Sequence, residues 1–226
     1  MEIKKYIIAY LLLMSFVFSL DKIVGYKINY FGIHVADCTI SVRDTIYNNL
    51  NAKKIKYNVD TKYLFDIFFP LKNRYLLIVN ELNEILYFKK DTSQPKVSNY
   101  LETELINNRV YYKGTSIEIK NNYYNIFSLL YSLINTITMP EKFILEREGE
   151  LYDASINKNK NMEYILNLSK KNNHVSLIEN TDIFTWAVFM KDAKRKIIVN
   201  EQLGVIEKCV FRKGIVLITA TLDYIK

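Results

Sequence analysis

The stretch Lys53-Lys54-Ile55-Lys56-Tyr57-Asn58-Val59-Asp60 decides the fold class. Its apolar Ile55, Tyr57 and Val59 alternate with Lys54, Lys56 and Asn58, and an extended backbone sends the two sets to opposite faces. This is a half-buried strand. Upstream, Tyr26, Ile28 and Tyr30 alternate with Lys27 and Asn29, and a Phe31-Gly32 corner leads into Ile33 to Arg43. The same texture runs through Arg74 to Val79, Ile85 to Lys89, Val97 to Leu105, Val110 to Tyr112, Ser116 to Lys120 and Met162 to Leu168. It closes the chain at Phe184 to Phe189, Lys196 to Asn200, Val205 to Phe211 and Ile215 to Leu222. Short strands separated by short polar turns predict an antiparallel meander that must curl or close.

Two stretches break the alternation. Tyr63 to Pro70 is a dense aromatic run ended by proline, read as a loop or short helical turn. In Asn125 to Ile137, residues Ile126, Leu129, Leu130, Leu133, Ile134 and Ile137 fall at i, i+3, i+4 spacing on one apolar face. Asn125 is a good N-cap and Pro140 follows the end. Such a helix should lie against the sheet or across a barrel mouth. The fold class is therefore all-β with one substantial helix, a curved antiparallel meander sheet, barrel-like or half-barrel.

The beginning of the chain carries an address. Met1-Glu2-Ile3-Lys4-Lys5 is a short basic start, followed by the apolar run Tyr6 to Phe18 and the small Ser19. A positive start, a run too short to span a bilayer and a small-residue zone make up a secretory signal peptide. Residues 1–19 are expected to be removed, leaving 20–226 as a single β-rich domain in the periplasm or outside the cell. An uncleaved anchor is the alternative.

The formal charge of +7 falls to +6 once Glu2, Lys4 and Lys5 leave with that segment. Arg occurs only at 43, 74, 109, 147, 195 and 212, with no cluster, so nucleic acid is not an expected partner. A peripheral contact with an anionic membrane surface is compatible with the charge. Gly and Pro are scarce, six and three, so Asn is expected to supply turns at Asn48-Asn49, Asn107-Asn108, Asn121-Asn122 and Asn172-Asn173.

Chemistry-bearing residues are few. Cys38 and Cys209 either form one disulfide, worth about 4–5 kcal/mol in the chain-entropy view, or pack as two buried thiols, the reading we prefer. His34 and His174 have no metal-binding spacing, no serine sits in a GxSxG turn, and no catalytic residue, metal site or cofactor is expected. Glu141, Glu146, Glu148 and Glu150 are interleaved with Lys142 and Arg147 and read as a solvated charged face; Asp192 to Lys196 reads as a charged hairpin turn. Asp60 and Asp66 are the carboxylate pair that an envelope-polymer hydrolase would use.

The apolar residues invite another use. Phe65, Phe68 and Phe69 could form a flap over one mouth of a curved sheet, with Leu129, Leu130 and Leu133 pressing inward from the helix to line a lipophilic cavity. The expected role is binding or carrying a lipid-like ligand at the cell envelope. A structural or protein-interaction module and the hydrolase are the alternatives.

Three patterns carry a resemblance across nearly all of residues 20–226. Tyr26-Lys27-Ile28-Asn29-Tyr30-Phe31-Gly32-Ile33 forms an opening strand and aromatic-Gly corner, and Asn125-Ile126-Phe127-Ser128-Leu129-Leu130-Tyr131 opens a helix. Trp186, Lys191-Asp192, Arg195 and Leu203-Gly204-Val205 suit a Trp-bearing strand, a charged turn and a Gly-containing return. The chain thereby resembles an exported bacterial family known as domain of unknown function 3108. It departs from the pattern at Asp37, where Gly is common, and at Lys196, where Pro is common. The resemblance implies an exported, curved antiparallel β protein, similar in shape to periplasmic carriers that shuttle lipoproteins or sense envelope lipids. It brings no catalytic residues with it.

Overall fold

The alternating segments pair into one sheet. The computed structural model describes residues 22–135, 139–159, 161–171 and 176–226. Residues 1–21, which include the stretch read as a signal peptide, lie outside them, as do His174, the expected Asn172-Asn173 turn and Ile137. Fifteen strands follow the order β8-β7-β6-β5-β4-β3-β2-β1-β15-β14-β13-β12-β11-β10-β9. Neighbours are antiparallel except β9 (Tyr123–Asn125) and β10 (Lys142–Arg147), which run parallel. The two edge strands, β8 (Glu118–Lys120) and β9, are consecutive in the chain and joined only by Asn121-Asn122. The sheet is thus curled into a nearly closed barrel, and the chain itself crosses the seam.

The barrel closes around β1 (Lys22–Tyr30), which pairs with both β2 (Ile33–Tyr47) and β15 (Val216–Ile225). Inward positions are the apolar phase of each strand. In β3 (Leu50–Thr61), Ile55, Tyr57 and Val59 are buried while Lys54 and Lys56 face out. In β4 (Lys72–Val79), Tyr75, Leu77 and Val79 take the same phase. Asparagine does supply turns. Asn48-Asn49 and Asn107-Asn108 both adopt left-handed φ, between 49° and 63°, as two-residue hairpins of the right twist require.

Among the described residues three helices interrupt the strands: α1 (Tyr63–Phe68), α2 (Ile126–Ile134) and α3 (Ile183–Phe189). Asn125 caps α2 as expected, its Oδ1 accepting from Ser128 N at 2.8 Å while Ser128 Oγ accepts from Asn125 N at 3.0 Å. The helix stops at Ile134, short of the expected Ile137, because Asn135 turns extended. It also differs from the expected one-faced helix. Every residue from Ile126 to Leu133 is buried, including Ser128 and Ser132, and the helix packs on β4, β9, β10, β13 (Lys194–Asn200) and β14 (Val205–Lys213). It therefore plugs the barrel. Phe127 is the hub, with ring centroids 4.2 Å from Tyr75, 5.0 Å from Tyr57 and 5.7 Å from Phe88 and Phe184.

The segment Phe184 to Phe189, expected as a strand, is helix α3. Asp182 accounts for it, since its Oδ1 accepts from Phe184 N (2.9 Å) and Thr185 N (3.0 Å) and fixes the first turn. Trp186 accordingly sits on a helix, not on a strand. The charged turn Asp192 to Lys196 also departs from expectation. Arg195 is buried and donates to the carbonyls of Val188, Met190 (2.6 Å) and Ala193 (2.8 Å), tying down the end of α3.

Candidate functional site

Between β3 and β4 the chain leaves the sheet to form α1. Thr61 staples both ends of this excursion: its Oγ1 donates to Asp66 Oδ1 (2.8 Å) and accepts from Leu71 N (3.0 Å). Beneath α1 lies an apolar cavity of about 340 Å³, walled by Tyr30, Val35, Phe65, Phe69, Leu71 and Phe184 among others. Ile28, Val59 and Phe184 also border a smaller inner chamber of about 40 Å³ that reaches Leu130, Cys38 and Cys209.

The residues expected to line a cavity divide accordingly. Phe65 and Phe69 wall the cavity, and Leu130 borders the inner chamber. Phe68 is 82% exposed on the outside of α1. Leu129 is fully buried in the core, and Leu133 faces a separate open cleft beside Met139, Ile156 and Val199. The two cysteines are free thiols on the wall of one chamber. Burial pushes both up to about 12, with each charge of Cys209, Asp60 and Asp37 adding to the rise at Cys38.

A second, polar cluster lies close by and was not expected from the sequence. Lys90, 1% exposed on the inward phase of β5 (Ile85–Gln94), pairs with Asp182 at 2.5 Å and with Glu148, and donates to Thr181 Oγ1 at 3.1 Å. Tyr75 Oη donates to Asp182 Oδ1 at 2.7 Å, and Thr185 Oγ1 to Asp182 Oδ2 at 2.7 Å. Burial alone would raise the Asp182 carboxyl, but Lys90 and Thr185 hold it below its ordinary value.

The carboxylates expected on a solvated face belong largely to this interior. Glu146, Glu148 and Glu150 are buried, and of that set only Glu141 is exposed. The hairpin from β10 to β11 (Glu150–Lys158) turns at Glu148-Gly149, both with positive φ, and tucks the carboxylates inward. Glu146 accepts from Tyr112 Oη (2.6 Å) and Gly149 N (2.7 Å); burial nevertheless pushes it up to about 7. Glu150 is held by Lys170 at 2.5 Å, Tyr152 at 2.7 Å and Arg147.

Other expected residues are engaged singly. His34 contacts Asp37 at 2.6 Å, and Asp60 is paired with Arg74 at 2.6 Å. Among the described residues, no group of three His, Cys, Asp or Glu side chains is placed to hold a metal ion. Two wider clefts, of about 870 and 770 Å³, are bordered by polar groups such as Asn121, Asn167, Lys142, Asn135, Lys158 and Glu201. They are more open to solvent than the cavity beneath α1.

No protein-family model matches the chain, and no curated protein matches it. Among solved structures it is similar to a beta-barrel-like protein of the domain of unknown function DUF1849 from Brucella abortus. That likeness has a TM-score of 0.51 at 6% identity and covers 91% of this chain and 97% of the other. The shared property is the β-barrel-like fold.

Proposed function

We propose that this protein binds a lipophilic molecule in the cavity beneath α1 and carries it at the cell envelope. The carrying observation is the cavity itself. A well-packed interior leaves few voids larger than a water molecule. Here about 340 Å³ stays open between Phe65, Phe69, Val35 and Phe184, and it shares the walls Ile28, Val59 and Phe184 with the inner thiol chamber. That volume lies within the range of about 300–1,000 Å³ typical of small-molecule sites. Each methylene buried there contributes about 0.8 kcal/mol before ordering costs, so an alkyl chain is a suitable occupant.

The envelope address rests on Lys4, Lys5 and the Tyr6 to Phe18 run, and on the resemblance to the exported family of unknown function 3108. No helix among the described residues is long and apolar enough to cross a membrane. Binding is preferred over hydrolysis because Asp60 and Asp66 are engaged by Arg74 and Thr61 on the outside of the cavity.

Native mass spectrometry and organic extraction of the purified chain test the reading, together with titration of a fluorescent fatty acid. Wild type should saturate with the probe, and Val35→Trp, which fills the cavity from its half-buried wall, should weaken binding at least about tenfold. Equal binding by the two proteins would remove the cavity as the site.

A further inference from the structure

The strand register gathers several turns at the end of the barrel where the cavity lies. Tyr30 pairs with Ile33 and with Ile218, so the β1–β2 and β14–β15 turns are neighbours there, and Ala36 paired with Thr61 puts α1 beside them. Six large apolar side chains stand exposed on these turns: Phe31, Ile33, Ile67, Phe68, Phe69 and Ile215. Ile67, Phe68 and Ile215 are 75%, 82% and 85% exposed, beyond what packing of isolated surface residues requires. Phe31 keeps its ring there at a left-handed φ of 52°, a conformation that bulky residues avoid.

Charge accompanies the apolar rim. Lys72, Arg212 and Lys213 are exposed at this end and take part in no ion pair among the described residues. Lys62 reaches Asp37 only at 3.9 Å, and the carboxylates of Asp37 and Asp66 are already occupied by His34 and Thr61. The far end differs. Ile46, Leu50 and Leu203 are exposed there as well, but they are fewer. Lys53 pairs with Asp44 and Lys158 with Glu201 at 2.7 Å, while Arg43 and Lys54 take part in no ion pair among the described residues. The cleft at that end, bordered by Lys158, Glu201 and Val199, is more open and more polar than the cavity beneath α1.

We propose that the rim formed by Phe31, Ile33, Ile67, Phe68, Phe69 and Ile215 docks onto an anionic phospholipid bilayer and brings the cavity mouth against the lipid. Apolar tips inserted among headgroups, with unpaired Lys and Arg at the phosphate level, are the two attractions that hold a peripheral protein on such a surface. Phe65 and Phe69 line the cavity while Ile67 and Phe68, on the same short helix, point away from it, so one element joins the docking surface to the binding space. This inference rests on the cavity reading and supplies the route by which the ligand enters.

Flotation with vesicles of phosphatidylcholine and phosphatidylglycerol, against vesicles of phosphatidylcholine alone, tests it. The wild-type chain should float with the anionic vesicles and release at high salt. Ile67→Ser and Phe68→Ser should each weaken flotation about tenfold, since each removes one insertable side chain. Lys213→Glu should weaken binding to the anionic vesicles and leave binding to the neutral ones unchanged. All three variants should still bind the soluble fatty-acid probe, while Val35→Trp should lose the probe and still float. Wild type that floats with neither vesicle, or Phe68→Ser that floats as well as wild type, overturns the docking surface and leaves the cavity reading standing. The first of those results would place a protein partner at the rim instead.

Discussion

Beside the apolar cavity, the same barrel interior holds charge. On one side Lys90, Asp182, Glu148, Thr181, Thr185 and Tyr75 are joined by ion pairs and hydrogen bonds, with Glu148 Oε2 left without a hydrogen-bond partner. On the other, Val35, Val59, Phe65 and Phe184 surround space that the chain does not fill. Helix α3 serves both regions, with Asp182 at its cap turned to the charges and Phe184 one turn edge turned to the cavity. The contrast separates structure from function. Apart from Glu148 Oε2, the buried polar side-chain atoms of the charge cluster have partners within it, whereas the apolar space lacks packing partners throughout.

The largest expected effect is on the charged side. Lys90→Met leaves Asp182 and Glu148 buried without their cation, and removing one partner of such a cluster costs about 3–5 kcal/mol. Urea unfolding of the variant should show that loss. Affinity for the fatty-acid probe should stay as in wild type. A folded Lys90→Met protein that no longer binds the probe would join the two regions into one site and break the comparison.

Next comes a pH effect with a definite sign. Burial raises Glu146 to about 7 from its ordinary 4.5. Between those values the folded protein keeps a proton that the unfolded chain has lost, so stability falls as pH rises through this window and levels off above it. A shift of this size corresponds to a loss on the order of 3 kcal/mol. Asp182 runs the other way: its lowered value contributes stability above the ordinary aspartate range, lost as pH falls through the folded value. Glu146→Gln should therefore abolish the decline between about pH 5 and about pH 7, as followed by thermal melts. An unchanged decline would assign it to another group.

Much of the sheet was legible from strand alternation, and the limits of that signal are specific. Lys90 stands in the inward phase of Phe88 and Thr92, so its burial could have been found by following parity instead of residue type. Glu146 and Glu148 could not be placed this way, because the positive-φ turn at Glu148-Gly149 folds them inward and their partners, Tyr112 for Glu146 and Lys90 for Glu148, lie on other strands. The run Phe184 to Phe189 is too short for periodicity to tell helix from strand; the Asp182 cap was the available clue. Phe65, Phe68 and Phe69 stand out in the sequence because Pro70 ends their run, but which of them line the cavity and which turn outward depends on how α1 sits over the barrel. The pairing of β1 with β15 had no local signature at all, and with it went the knowledge that α2 would be enclosed on every side.

The helix plug offers a smaller test on the boundary between the two regions. Asn125→Ala removes the acceptor for Ser128 N at the buried start of α2 and should cost about 1–2 kcal/mol. Asn125→Asp keeps that acceptor and should recover part of the loss in the same urea melts. If both variants match wild type, the capping box contributes nothing to holding Phe127 among Tyr57, Tyr75 and Phe88.

The smallest effect in free energy belongs to the apolar side. Cys38 and Cys209 border the inner chamber as thiols, and burial pushes both up to about 12 from an ordinary 9. Only the thiolate attacks a maleimide, so near pH 8 the folded protein should label about a thousandfold more slowly than the unfolded chain. Bound fatty acid should slow labelling further, because Cys38 and Cys209 share their chamber with Ile28, whose other side faces the cavity. Val35→Trp should abolish that ligand-dependent protection while leaving the slow basal rate in place. Cys209→Ala should change stability by less than about 1 kcal/mol, since a buried thiol packs as a small hydrophobe. Fast labelling of the folded wild type would mean that water reaches the chamber, and the apolar half of the interior would then be no drier than the charged half.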